Sequence, residues 1–140
     1  MWVIYSLLAA VFAAVVAIFA KIGISGVNSN LAVAIRTVIV LLMSWFIVFI
    51  TGKHSEIAQI TQKSWIFLAL SGLATGISWL FFYKALQIGD ASKVVPIDKL
   101  SIVITMVLAF VFLGETADPK TILGGLLIVA GTFILIIGNG

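Results

Sequence analysis

The sequence contains no cysteine. Disulfides and thiolate metal sites are therefore excluded. It has one histidine, His54, beside Lys53 and close to Glu56 in a polar segment. A lone imidazole cannot build a metal site, and no cofactor is expected. Charge is scarce: 9% of residues are Asp, Glu, Lys or Arg, against about a quarter in soluble domains. With 63% hydrophobic residues, the chain cannot cover a water-facing surface. It reads as an integral membrane protein whose solvent is the lipid bilayer. The net charge of +3 and pI near 9.5 would suggest a nucleic-acid partner in a soluble chain. Here the basic residues stand singly at the ends of apolar runs, so no nucleic acid is expected. Residues 1–20 carry no charged side chain. Ala17, Ile18, Phe19 and Ala20 resemble a signal-peptide cleavage site. No Lys or Arg precedes the apolar run, however, and it exceeds the roughly 7–15 residues of a signal-peptide core. It reads as a membrane helix.

Five segments have the roughly 20 apolar residues that a bilayer crossing requires: residues 2–20, 31–50, 64–86, 92–113 and 119–137. The expected fold is an all-α, five-span membrane domain, with no second domain and no linker. Asn30 and Ser64 are expected N-caps for the second and third spans. Gly52, Gly89, Gly114 and Gly138 are expected stops. Asp118 before Pro119 is a strong start signal for the last span. Residues 51–63 form the one polar connection of any length, with an amphipathic turn around Glu56, Ile57 and Ile60. Every other connection is short, so successive helices are expected to be antiparallel neighbours.

Trp2, Tyr5, Trp45, Phe49 and Trp65 fall where headgroups should be and suit interfacial anchoring. Trp79, Phe81, Phe82 and Tyr83 cluster before Lys84 and read either as such a belt or as an aromatic wall beside charge. Five spans place the termini on opposite sides. Shallow Lys21, Lys84 and Lys93 then lie on one side, with Lys53, Lys63 and Lys120 on the other. Three against three gives the positive-inside rule little to act on. Adding deeper Arg36 and Lys99 makes the count five against three. Insertion both ways up with antiparallel pairing is one reading; an indecisive rule is the other.

The charges at membrane depth carry the functional expectation. Arg36 lies about 9 Å along its helix from Asn30, and Asp98 and Lys99 about 9–10 Å from Ser92, at 1.5 Å per residue. Both spans start on the same side, where Lys84 also ends its own span. Arg36, Lys84, Asp98 and Lys99 are therefore expected to converge. A charge at the centre of a bilayer costs about 2.5–3.5 kcal/mol on insertion scales, although long side chains can snorkel to the headgroups. Asp98 is too short for that. Three cations around one acid favour a ligand with a carboxylate or phosphate. Pro96 frees the Ser92 carbonyl and should kink the span, as in many transporter sites. The expected substrate-binding or coupling residues are Arg36, Lys84, Pro96, Asp98 and Lys99, with Trp79 and Tyr83 beside them. Gly72 and Gly76 form a GxxxG pattern, and Gly124, Gly125 and Gly131 put small residues on the last span. Close helix packing, within or between subunits, is their expected use.

Leu86, Gln87, Ile88, Gly89, Asp90, Ala91 and Ser92 are followed by Val95 and Pro96. Phe112, Leu113, Gly114 and Glu115 come next, then a last span rich in glycine. In this order the chain resembles the EamA domain of the drug/metabolite transporter superfamily over essentially its whole length. The resemblance implies one five-span half of a ten-span inverted repeat. It therefore implies an antiparallel homodimer or a homologous partner chain, in the cytoplasmic (inner) membrane. Small multidrug exporters of that superfamily use an acid in the first span, which this chain lacks. The expected function is secondary transport of a small anionic or zwitterionic metabolite, such as an amino acid, by alternating access. The alternative is a non-transporting membrane subunit that stabilises or regulates a partner. No nucleophile–base constellation supports an enzyme.

Overall fold

A computed structural model of the chain describes residues 1–138. All regular structure among them is helical. The helices are α1 (Trp2–Gly23), α2 (Ser29–Ile50), a 3-10 helix (Lys53–Gln59), α3 (Gln62–Ile88), α4 (Ala91–Asp98), α5 (Leu100–Phe112) and α6 (Pro119–Ile137). Taken together, α4 and α5 form one span, so five helices are long and apolar enough to cross a membrane. The buried share of their most apolar windows is only 0–11%. Large apolar side chains such as Phe12, Leu42, Phe46 and Leu127 are mostly exposed. Water would not tolerate that surface, whereas acyl chains solvate it and the helices satisfy their own backbone polar groups. The chain is a multi-pass membrane protein.

The chain divides into two units, Met1–Ile88 and the residues from Gly89 onward. In the first, α3 packs against both α1 and α2. The expectation that successive helices would be neighbours needs correction here: α1 lies on α3 rather than closely on α2. A small core forms at that end, with Ala17, Ala20, Ile24, Val33, Tyr83 and Leu86 buried. Two ties close it. The Lys21 ammonium, in the last turn of α1, donates to the Leu86 carbonyl in the last turn of α3. The Gln87 amide nitrogen donates to the Val27 carbonyl at 2.6 Å and the Ile24 carbonyl at 3.5 Å. A helix leaves its last four carbonyls without intrahelical partners and carries negative potential there, so a cation on Leu86 is well placed.

Caps set the remaining boundaries. The α2 cap is Asn28, not Asn30: its side-chain oxygen accepts from the amides of Asn30 and Leu31. Asn28 leaves the helical region at φ −59°, ψ 131°, as a capping residue must. Likewise the hydroxyl of Thr61, rather than Ser64, accepts a backbone bond at the start of α3, from the Ser64 amide at 3.2 Å. Gly52 takes φ +69°, a left-handed conformation that ends α2 and that side chains disfavour. The polar segment that follows winds into the 3-10 helix. Lys53 pairs with Glu56 at 2.6 Å in the open, and Ile57 and Ile60 turn toward a shallow pocket with Trp45 and Val48.

In the second unit, α6 packs against α4 and α5. The span from Ala91 is broken, but not at Pro96. Pro96 sits inside α4, and the break comes three residues later at Lys99. The Lys99 amide is shared between the carbonyls of Val95 at 3.2 Å and Pro96 at 3.1 Å. The Ile102 amide then reaches back to Lys99 at 3.0 Å, a tight three-residue turn that restarts the helix. The proline ring and its missing donor disturb the turn around it, and the misfit is absorbed at the next residue free to tighten. Gly114, at φ +66°, ends α5 and lets the Glu115 amide return to the Ala109 carbonyl at 3.3 Å. Asp118 caps α6 by accepting from the Thr121 amide at 2.6 Å, with Pro119 at the first helical position.

Candidate functional site

Arg36 is the eighth residue of α2, about 10 Å from its start at 1.5 Å per residue. The guanidinium is partly exposed. It lies 4.0 Å from the Trp79 ring centroid and 5.6 Å from that of Tyr83. Trp79 and Tyr83 are four residues apart on α3, so they share one face, and Arg36 lies against it. A cation over an indole is worth about 0.5–1 kcal/mol when exposed and about 2 or more when desolvated. Tyr83 is only 3% exposed, so this end of α3 is the better-shielded part of the first unit. The four aromatics that precede Lys84 thus divide. Trp79 and Tyr83 form a wall for Arg36, while Phe81 is three-quarters exposed.

No carboxylate balances Arg36 within its unit. The one acid there is Glu56, and Lys53 occupies it. Between α1 and α2, where direct packing is sparse, lies an open cavity of about 480 Å³. Arg36 and Tyr83 line it, with Phe19, Ala20, Ile35, Ile39 and other apolar groups. A second groove of about 440 Å³ runs between α2 and α3, past Trp79. Gly72 and Gly76 line this groove, and a Cβ on either would meet nothing within 4 Å. The same holds for Gly124 and Gly131. Inside the chain, close packing of this kind is found at Gly125, where a Cβ would stand 3.2 Å from the Met106 sulfur.

The second unit holds the other deep charges. Asp98 and Lys99 flank the break in the span and pair at 3.7 Å, both partly open to solvent. Lys93 pairs with Asp90 at 3.5 Å near the start of α4. Lys84 is exposed although it follows the buried Tyr83 directly. Sequence reasoning picked out Arg36, Trp79 and Tyr83 but not the cation–π contact that joins them. It treated Lys21 only as a shallow charge and gave Gln87 no role. The available signal was an amide and a cation at the ends of otherwise apolar helices.

Residues 1–137 match the family model described as the EamA-like transporter family. The chain belongs to that family. An "uncharacterized transporter in cobO 3'region" from Sinorhizobium sp. is 46% identical over 134 residues, 96% of this chain and 95% of that protein. An uncharacterized protein of Methanocaldococcus jannaschii is 33% identical over 107 residues, 70% of this chain and 78% of its own. No solved structure matches. Membership supports a transport role for this EamA-like chain. It also gives a context for a cation over an aromatic face in the membrane, since intramembrane charge commonly marks a solute path.

Proposed function

We propose that this EamA-like protein moves a small anionic or zwitterionic metabolite across the cytoplasmic membrane by alternating access, and that Arg36 is the charge that meets it. The observation that carries the reading is the Arg36 guanidinium. It is held against Trp79 and Tyr83 at membrane depth, beside a cavity of about 480 Å³, with no carboxylate of its own unit to neutralise it. A planar guanidinium offers paired N–H donors that match a carboxylate or phosphate. Stacking on Trp79 reduces the ordering that binding would require of it. The broken span supplies the second part. A helix interrupted at Lys99, with Asp98 beside it, has fewer continuous backbone bonds to lose when it bends than an intact one. Broken spans serve transporters in this way.

The working unit is proposed to be a pair of chains inserted in opposite orientations, or this chain with a homologous partner. The even division of shallow lysines supports that arrangement. Uptake into proteoliposomes tests the transport reading. Arg36→Ala and Asp98→Asn should both reduce flux at least tenfold; wild-type rates in both would remove these residues from the path. Reporter fusions at the C-terminus test the pairing. Signal from both sides of the membrane supports antiparallel insertion, and signal from one side refutes it. Co-purification with a stoichiometric foreign chain would favour a subunit role instead.

A further inference from the structure

We infer that the cavity between α1 and α2 selects a monocarboxylate with a compact apolar body, and rejects both amino acids and dicarboxylates. The assignment rests on the reading of Arg36 as the substrate-facing charge, and narrows its anionic or zwitterionic class to monoanions from what the other walls allow. Arg36 is the cavity's one charged lining residue. Its surroundings are Phe19, Ala20, Ile35 and Ile39, with Tyr83 at the α3 side. Among the described residues neither the guanidinium nor the Tyr83 hydroxyl has a hydrogen-bond partner, so donors are available to a carboxylate. One cation balances one negative charge; a second carboxylate would face aliphatic walls. An ammonium would fare no better, because no acid lines this cavity and Glu56, the one acid of the unit, is paired with Lys53. Burying an unpaired ion against apolar groups is costly enough to dominate selection. The volume falls within the roughly 300–1,000 Å³ of small-molecule sites, so a branched or ring-bearing tail fits.

The test uses the full chain in vesicles and in detergent, with isocaproate as the probe. Leucine has the same carbon skeleton plus an ammonium; adipate adds a second carboxylate; laurate extends the tail. Thermal unfolding and tryptophan fluorescence, to which Trp79 contributes, read binding without any need for flux. Isocaproate should give a saturable response, with leucine and adipate at least about tenfold weaker. Arg36→Ala should abolish the isocaproate response, and Arg36→Lys, which keeps charge but loses the planar fork, should weaken it. The comparison among probes on the unaltered protein holds even if a variant folds poorly. Equal binding of leucine or adipate overturns the inference, as does no saturable response to isocaproate. A response that keeps rising toward laurate points to a membrane lipid as the source and also overturns it. Flux of the same solutes separates the two claims. Isocaproate binding without flux leaves the ligand class standing and removes transport. Leucine flux lost in Arg36→Ala leaves transport standing and removes the ligand class.

Discussion

Gln87→Met should loosen the end of the first unit that carries Tyr83. The substitution keeps the length and apolar body of the side chain and deletes the amide that donates to Val27 at 2.6 Å and Ile24 at 3.5 Å. Only the first of these distances is a full-strength bond. Interhelical hydrogen bonds measured in a membrane protein average about 0.6 kcal/mol and reach about 1.7. The Val27 carbonyl lies in a connecting loop near the membrane surface, where water can replace the lost donor. We therefore expect a loss of about 1 kcal/mol, roughly a fivefold change in the folded-to-unfolded ratio. Lys21→Met removes the charged donor to the Leu86 carbonyl and should cost somewhat more, about 1.5 kcal/mol, the low end for bonds to charged groups. The two ties bridge the same helix ends, so the double variant should lose more than the single losses together. Reversible unfolding in mixed micelles measures all three. A Gln87→Met protein as stable as the parent, or strict additivity in the double variant, would refute the view that these bonds close the unit.

Adjacent glycines on α6 should behave oppositely. Gly125→Val meets the Met106 sulfur and should cost about 1–3 kcal/mol of thermal stability, whereas Gly124→Ala enters open space and should be neutral or gain up to about 1 kcal/mol. If a second copy packs on the glycine face, Gly124→Leu will lower cross-linked dimer without unfolding the monomer. Pro96→Ala restores a donor toward the Ser92 carbonyl. It should raise thermal stability by up to roughly 3 kcal/mol while slowing flux, because the break at Lys99 stiffens. The Asp118 carboxyl lies below its ordinary value of 3.8, chiefly because it accepts the Thr121 amide. A depressed folded value means that the cap's contribution is complete above about pH 4 and is lost as pH falls through the lower folded value. The protection factor of the Thr121 amide, taken against its intrinsic exchange rate at each pH, should therefore fall in acid, and Asp118→Asn should remove that dependence.

What the sequence made legible was whatever depends on local chemistry. Apolar run lengths located all five spans, since a helix of about 20 apolar residues satisfies its own backbone groups in lipid. Asp118 with Pro119 located the start of α6 because both residues act within one turn. The near misses have the same origin. Asn28 and Asn30 are equally good caps by composition, and backbone geometry alone decided for Asn28. Pro96 announced a break, but strain is absorbed where the chain yields most easily, which was Lys99. At the candidate site the residues stood out by type and depth, while their contacts within each unit came only from the structure. Arg36 was conspicuous as a deep charge, expected to converge with Lys84, Asp98 and Lys99. Within each unit, Asp98 meets its neighbour Lys99, and Arg36 meets rings. Sequence spacing says that Trp79 and Tyr83 share a face; it cannot say which helix faces them. That depended on α1 settling against α3 and leaving space beside α2, a packing outcome set by shape across distant residues. The same outcome leaves an open cavity beside Arg36: had α1 filled that space, the guanidinium would have stacked on Trp79 with no cavity at its side.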